Sequence, residues 1–106
     1  ETPNDIHAGE IETSTTMAIR PEVVRMQEAM NETLDFGSSY LNYTSDRGVG
    51  WYVRTKIISR SGIMGDPLKA DAAKGKKLWE IMVAHLVRFV EDVKQNNLME
   101  LYKRKH

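Results

Sequence analysis

The sequence predicts a chain of mixed helix and strand, and three features carry that expectation. A long amphipathic helix runs from about residue 70 to 94, two short extended pieces lie in the middle of the chain, and helical segments sit near its start. In the long helix Leu78, Met82, Leu86, Phe89, Val90 and Val93 recur at steps of three and four, while Glu80, Arg88, Glu91 and Lys94 fall outside that stripe. Trp79, Val83 and Val87 widen the apolar face beyond a coiled-coil seam, so it should lie across a sheet or among other helices. A last turn, Leu98 to Tyr102, leads to Lys103-Arg104-Lys105-His106, whose charge suits a helix C-terminus.

From Asp35 to Asp66 glycines 37, 48, 50, 62 and 65 break the pattern into loop. Trp51-Tyr52-Val53 and Thr55-Lys56-Ile57-Ile58 are the extended pieces, being aromatic or β-branched and bounded by turn residues. Gly48-Val49-Gly50 fits no phosphate-binding pattern and reads as a turn. Nearer the start, Thr13, Ser14, Thr15 and Thr16 offer N-caps to a helix beginning at Met17. Pro21 should end that helix near Arg20 and open a second one through Met30, with Val23, Met26 and Met30 on one side.

Composition narrows the function. The 106 residues carry 15 basic and 15 acidic side chains and a pI near 7.1, enough for one small domain but without a single-sign field for nucleic acid or an anionic membrane. No apolar run approaches the roughly 18 residues of a membrane span, and the opening lacks a signal-peptide pattern. Zero cysteines exclude a disulfide framework, a thiolate zinc site and a cysteine nucleophile, and fit a cytoplasmic location. The chain opens on Glu1 with a polar run, so it is expected to be a processed piece or the later part of a longer polypeptide.

Among the histidines, His106 is terminal and His85 lies at the margin of the long helix's apolar stripe, an edge position that needs no chemistry. His7 is followed by Ala8-Gly9-Glu10-Ile11-Glu12-Thr13-Ser14, which places an imidazole, a flexible turn, two carboxylates and a helix start within eight residues. An imidazole exchanges protons near neutral pH, and a carboxylate kept ionised at a helix N-terminus can orient it. Spacing alone leaves a second reading open, in which Glu10 and Glu12 are favourable first-turn charges and His7 is a surface residue.

His7-Ala8-Gly9-Glu10-Ile11-Glu12-Thr13-Ser14 resembles the HAGxxETS signature of the creatininase (creatinine amidohydrolase) family. Pro21-Glu22-Val23-Val24 resembles the family's P-x-L/V-V segment, and Gly62-Ile63-Met64-Gly65-Asp66-Pro67, Ala70 and Lys74-Gly75 resemble its G-x-x-GDP-x-x-A-x-x-x-KG stretch. The resemblance implies a three-layer α/β/α fold with a mainly parallel sheet. Residues 1–106 would form the C-terminal portion of a single such domain, whose metal-binding N-terminal portion lies in another segment or chain. It implies a hydrolase of cyclic amides, formamides or related carbonyl compounds, cyclic polyol ketones included, using divalent zinc, manganese or iron. The metal ligands are expected outside this chain, and the assembly is expected to be a homo-oligomer, often a hexamer. His7 would be the catalytic proton shuttle and contact substrate, Glu12 would support it, and Asn4 and Glu10 would be polar substrate contacts. Pro3 and Asn4 replace a tryptophan and an aspartate of the creatinine-hydrolysing enzymes, which points to a substrate other than creatinine. The rival expectation is a non-catalytic assembly subunit or degenerate fragment of that fold, which keeps its final layer for assembly and uses the long helix as an interface.

Overall fold

The computed structural model describes residues 2, 4–33, 36–42, 49–96 and 102. Helix α1 spans Glu10–Ile19 with Gly9 as its N-cap. Glycine has no side chain to accept the first free amides, and Asp5 does so instead: Glu10 N–H donates to Oδ1 at 2.9 Å and Ile11 N–H to Oδ2 at 3.0 Å. The helix therefore begins about two turns earlier than the threonine cluster suggested. Ser14, Thr15 and Thr16 lie inside it, and their hydroxyls donate to the carbonyls of Glu10, Ile11 and Glu12 four residues back at 2.6, 3.0 and 2.8 Å. A hydroxyl can bond to the helix in this way as well as cap it, and the cap here came from a carboxylate farther upstream.

Pro21 ends α1 as expected, with Arg20 as C-cap. The following segment is two 3-10 turns, Pro21–Val23 and Met26–Glu28, in place of the expected single helix. Adjacent β-branched Val23 and Val24 resist helical packing, and Val24 is extended with ψ 123°.

The sheet is likewise placed differently from the sequence expectation. β1, Leu41–Asn42, pairs in parallel with β2, Val49–Gly50, in the register Leu41↔Val49 and Asn42↔Gly50. Trp51 to Arg54 carry no regular structure, and Thr55–Ile58 forms a single helical turn, α2. β-propensity expresses packing against a pleated neighbour, and Ile57 at 71% exposure has none. Gly48, residues 97–101 and the basic end with His106 lie outside the described residues.

Asp66 accepts from Leu68 N–H at 3.2 Å and so caps a 3-10 turn, Pro67–Lys69. Asp71 then accepts from Ala73 N–H at 3.0 Å at the start of α3, Ala72–Gln95, the long helix expected here. Helices with a parallel strand pair and a long C-terminal helix make the chain α/β, in agreement with the sequence. No helix among the described residues is long and apolar enough to cross a membrane.

The chain divides into two compact units, Glu1–Lys76 and Lys77–His106. In the first, the buried positions are Thr2, Gly9, Glu10, Ser14, Asn42, Ser59, Gly65, Asp66, Pro67 and Gly75. In the second, most of the predicted apolar stripe is exposed, with Met82 at 42%, Leu86 at 60% and Phe89 at 64%, while Leu78 and Val93 are half-buried.

Candidate active site

His7 is mounted on the Gly62 to Asp66 loop by its own backbone. Ile6 and His7 N–H both donate to Met64 O, at 2.7 and 3.1 Å, and Met64 N–H donates back to His7 O at 2.8 Å. Close by, Gly9 and Gly65 leave room for the Asp5 carboxylate. A Cβ on Gly9 would stand 1.5 Å from Asp5 Oδ1 and 3.1 Å from Gly65 Cα, and one on Gly65 would stand 2.1 Å from the same oxygen. Between His7 and Gly9 the chain reverses at Ala8, whose φ of 51° is unfavourable for a residue with a Cβ.

That reversal brings His7 and Glu12 together. Glu12 is the third residue of α1, and its Oε2 accepts from Ala8 N–H at 2.5 Å while standing 3.4 Å from His7 Nδ1. Both side chains are accessible, at 62% and 60% exposure. The separation is that of an ion pair when the ring is protonated. A small ring rotation would convert it into an Nδ1–H hydrogen bond, which leaves Nε2 as the basic nitrogen. Such a pair can take up and deliver a proton.

Glu10 serves a different purpose. Glu10 is only 5% exposed. It accepts from Lys74 Nζ and from Thr2 Oγ1, the latter at 2.6 Å. The Lys74 hydrogen bond, followed by that from Thr2, holds the Glu10 carboxyl at about 2. Lys74 also donates to Lys69 O at 3.0 Å, so the predicted contact residue Glu10 ties α1 to the start of α3. Ser14 reinforces that tie by accepting from Asp71 N–H at 3.0 Å. A Cβ on Gly75 would lie 1.8 Å from Ser14 O, so only glycine permits this approach. Asn4, half-buried with φ 57°, directly precedes Asp5.

Glu32 is an anchor that the sequence did not reveal. It accepts from Ser59 Oγ at 2.8 Å, Arg60 N–H at 2.8 Å, Ser61 N–H at 3.1 Å and the Ser61 hydroxyl. Led by the Ser61 hydroxyl, these donors hold its carboxyl at about 2. Its own N–H donates to Gly65 O at 3.0 Å, which fixes the loop that carries His7. Nothing local signals a partner 27 to 29 residues away.

Two cavities border α1 within the first unit. One of about 330 Å³ is lined in part by Ala8, Thr13, Val24, Met26, Ile63 and Pro67. The other, about 310 Å³, is lined by Ala8, Glu12, Thr13, Thr16 and Val24, so Glu12 reaches a cavity wall while His7 lines neither. His85 stands exposed on α3. Among the described residues no group of three His, Cys, Asp or Glu side chains could hold a metal ion.

The model of the Creatininase family, creatinine amidohydrolase, matches residues 1–90. The crystal structure of a Bacteroides fragilis protein assigned as creatinine amidohydrolase is similar with a TM-score of 0.72 and 32% sequence identity. The match covers 92% of this chain and 38% of that one, so this chain spans well under half of that protein's length. No curated protein matches. The chain belongs to the creatininase family, and its α/β fold is part of a creatininase-like fold.

Proposed function

We propose that this member of the creatininase family forms, over residues 1–106, the C-terminal portion of a single creatininase-like domain and supplies the proton-transfer pair of an amidohydrolase. The observation that carries this reading is the accessible His7–Glu12 pair, 3.4 Å apart at the start of α1. Glu12 stabilises the Nδ1-protonated tautomer and then the imidazolium, so His7 Nε2 takes a proton and returns it to the departing nitrogen. Such a transfer contributes roughly a hundred- to ten-thousand-fold in rate.

Asn4, three residues before His7, offers its amide to the substrate. That side chain, with Pro3 before it, favours a cyclic amide, formamide or related carbonyl compound other than creatinine. Glu10 contributes by fixing α1, since its carboxylate is engaged by Lys74 and Thr2. The zinc, manganese or iron of the family's chemistry would be held by residues of the complementary N-terminal portion. The assembly is a cytoplasmic homo-oligomer, a hexamer by family resemblance. The exposed apolar stripe of α3 favours one other reading, a non-catalytic assembly subunit.

Intact mass, bound-metal analysis and amide hydrolysis on natively purified material separate the two. The hydrolase reading expects a complementary polypeptide or longer precursor, stoichiometric divalent metal, and amine release from a panel of cyclic amides and formamides that drops at least about a hundred-fold in His7→Ala. A species of 12.1 kDa without metal or hydrolysis would overturn it.

A further inference from the structure

We infer that Asp5 is the positioning residue of the His7–Glu12 pair, an inference that rests on the proton-transfer reading of that pair. Asp5 lies two residues before His7 in the chain, and its carboxylate accepts from Glu10 and Ile11, the two residues that lead into Glu12. One side chain thus ties the segment carrying the imidazole to the helical turn carrying the carboxylate. The two hydrogen bonds also satisfy amides that the N-cap Gly9 cannot serve.

Packing places the same carboxylate at the crossing of three segments. Oδ1 fills the space that a side chain on either Gly9 or Gly65 would take. The Gly65 loop in turn holds His7 through the Met64 bridge. Ala8 stays at φ 51° between these fixed points, and a backbone conformation of that kind persists only where its surroundings impose it. Without the Asp5 carboxylate, the first turn of α1 and the reversal at Ala8 lose their common anchor. Asp5 acts through the Glu10 and Ile11 amides, so its role is to set the separation of the pair, and its negative charge suits the helix N-terminus.

The test is nitrogen NMR of the labelled chain, read at the His7 ring and at the amides of Glu10 and Ile11. In the native chain, Glu12→Gln should shift the His7 ring nitrogens. In Asp5→Ala that response should vanish, and amide exchange at Glu10 and Ile11 should rise by a factor of about 5–30, the range expected for loss of a helix cap. Asp5→Asn keeps one acceptor and should restore an intermediate exchange rate and part of the ring response. A purely structural role would alter amide exchange and leave the ring response to Glu12→Gln intact, which would overturn the inference. Should Asp5→Ala fail to fold, Asp5→Asn decides, since a full native response in that variant also overturns it. A native chain whose His7 ring ignores Glu12→Gln removes the pair itself, a distinguishable failure that takes this inference with it.

Discussion

Around Asp5 to Ser14 the buried groups are polar or small, whereas along α3 beyond Lys77 most of the large apolar side chains are exposed. The first region holds its geometry by hydrogen bonds between named partners: Asp5 on the helix start, Glu10 on Lys74, and Ser14 on Asp71. The second has helical hydrogen bonds and a well-formed stripe, yet Leu86 and Phe89 are 60% and 64% exposed. Directional contacts specify a site's geometry even where few apolar groups are buried, while an apolar stripe contributes stability only once something covers it.

Substitutions can break this comparison, and the largest effect should come from Gly75→Ala. Its new methyl meets the Ser14 carbonyl, a backbone atom that cannot rotate away. A loss of about 3 kcal/mol in urea unfolding is expected, the upper part of the overpacking range. Next comes Lys74→Met, which leaves the Glu10 carboxylate buried with Thr2 as its remaining hydrogen-bond donor among the described residues. Because Lys74 is 40% exposed, the loss should be about 2 kcal/mol rather than the larger cost of a fully buried pair.

Acid sharpens the same contrast. Glu10 is held at about 2 against an ordinary value of 4.5, so its contribution to stability is fully present above 4.5 and is lost as pH falls towards 2. Glu32 has the same sign and the same window. The urea midpoint should therefore fall between pH 5 and pH 3, and Glu10→Gln should flatten that slope. The smallest effect belongs to the other region. Leu86→Gln or Phe89→Gln on α3 should change stability by less than about 0.5 kcal/mol, because the side chains are exposed. A larger loss that grows with protein concentration would show the stripe to be covered in solution.

How far the sequence foretold this arrangement depends on the range of each interaction. The periodicity of α3 and the stop at Pro21 are local, and both were legible. The octapeptide from His7 to Ser14 brought the imidazole and Glu12 forward as a pair, and the structure places them 3.4 Å apart. The helix start was misread because hydroxyls at Thr13 to Thr16 suit caps and helix interiors alike, while the acting cap, Asp5, stands outside the helix. The strands were misplaced because β-branched Thr55, Ile57 and Ile58 prefer a sheet only where one is available. Glu32 and the Ser14–Gly75 approach involve residues far apart in the chain, which spacing alone could not connect.

Whether His7 and Glu12 act as one unit is tested most directly by a kinetic double-mutant cycle on the purified assembly. Amide hydrolysis would be compared for His7→Ala, Glu12→Gln and the double variant. A cooperating pair predicts that the double variant is no slower than His7→Ala alone, because removing the imidazole leaves the carboxylate nothing to orient. Losses that simply multiply would contradict the pairing.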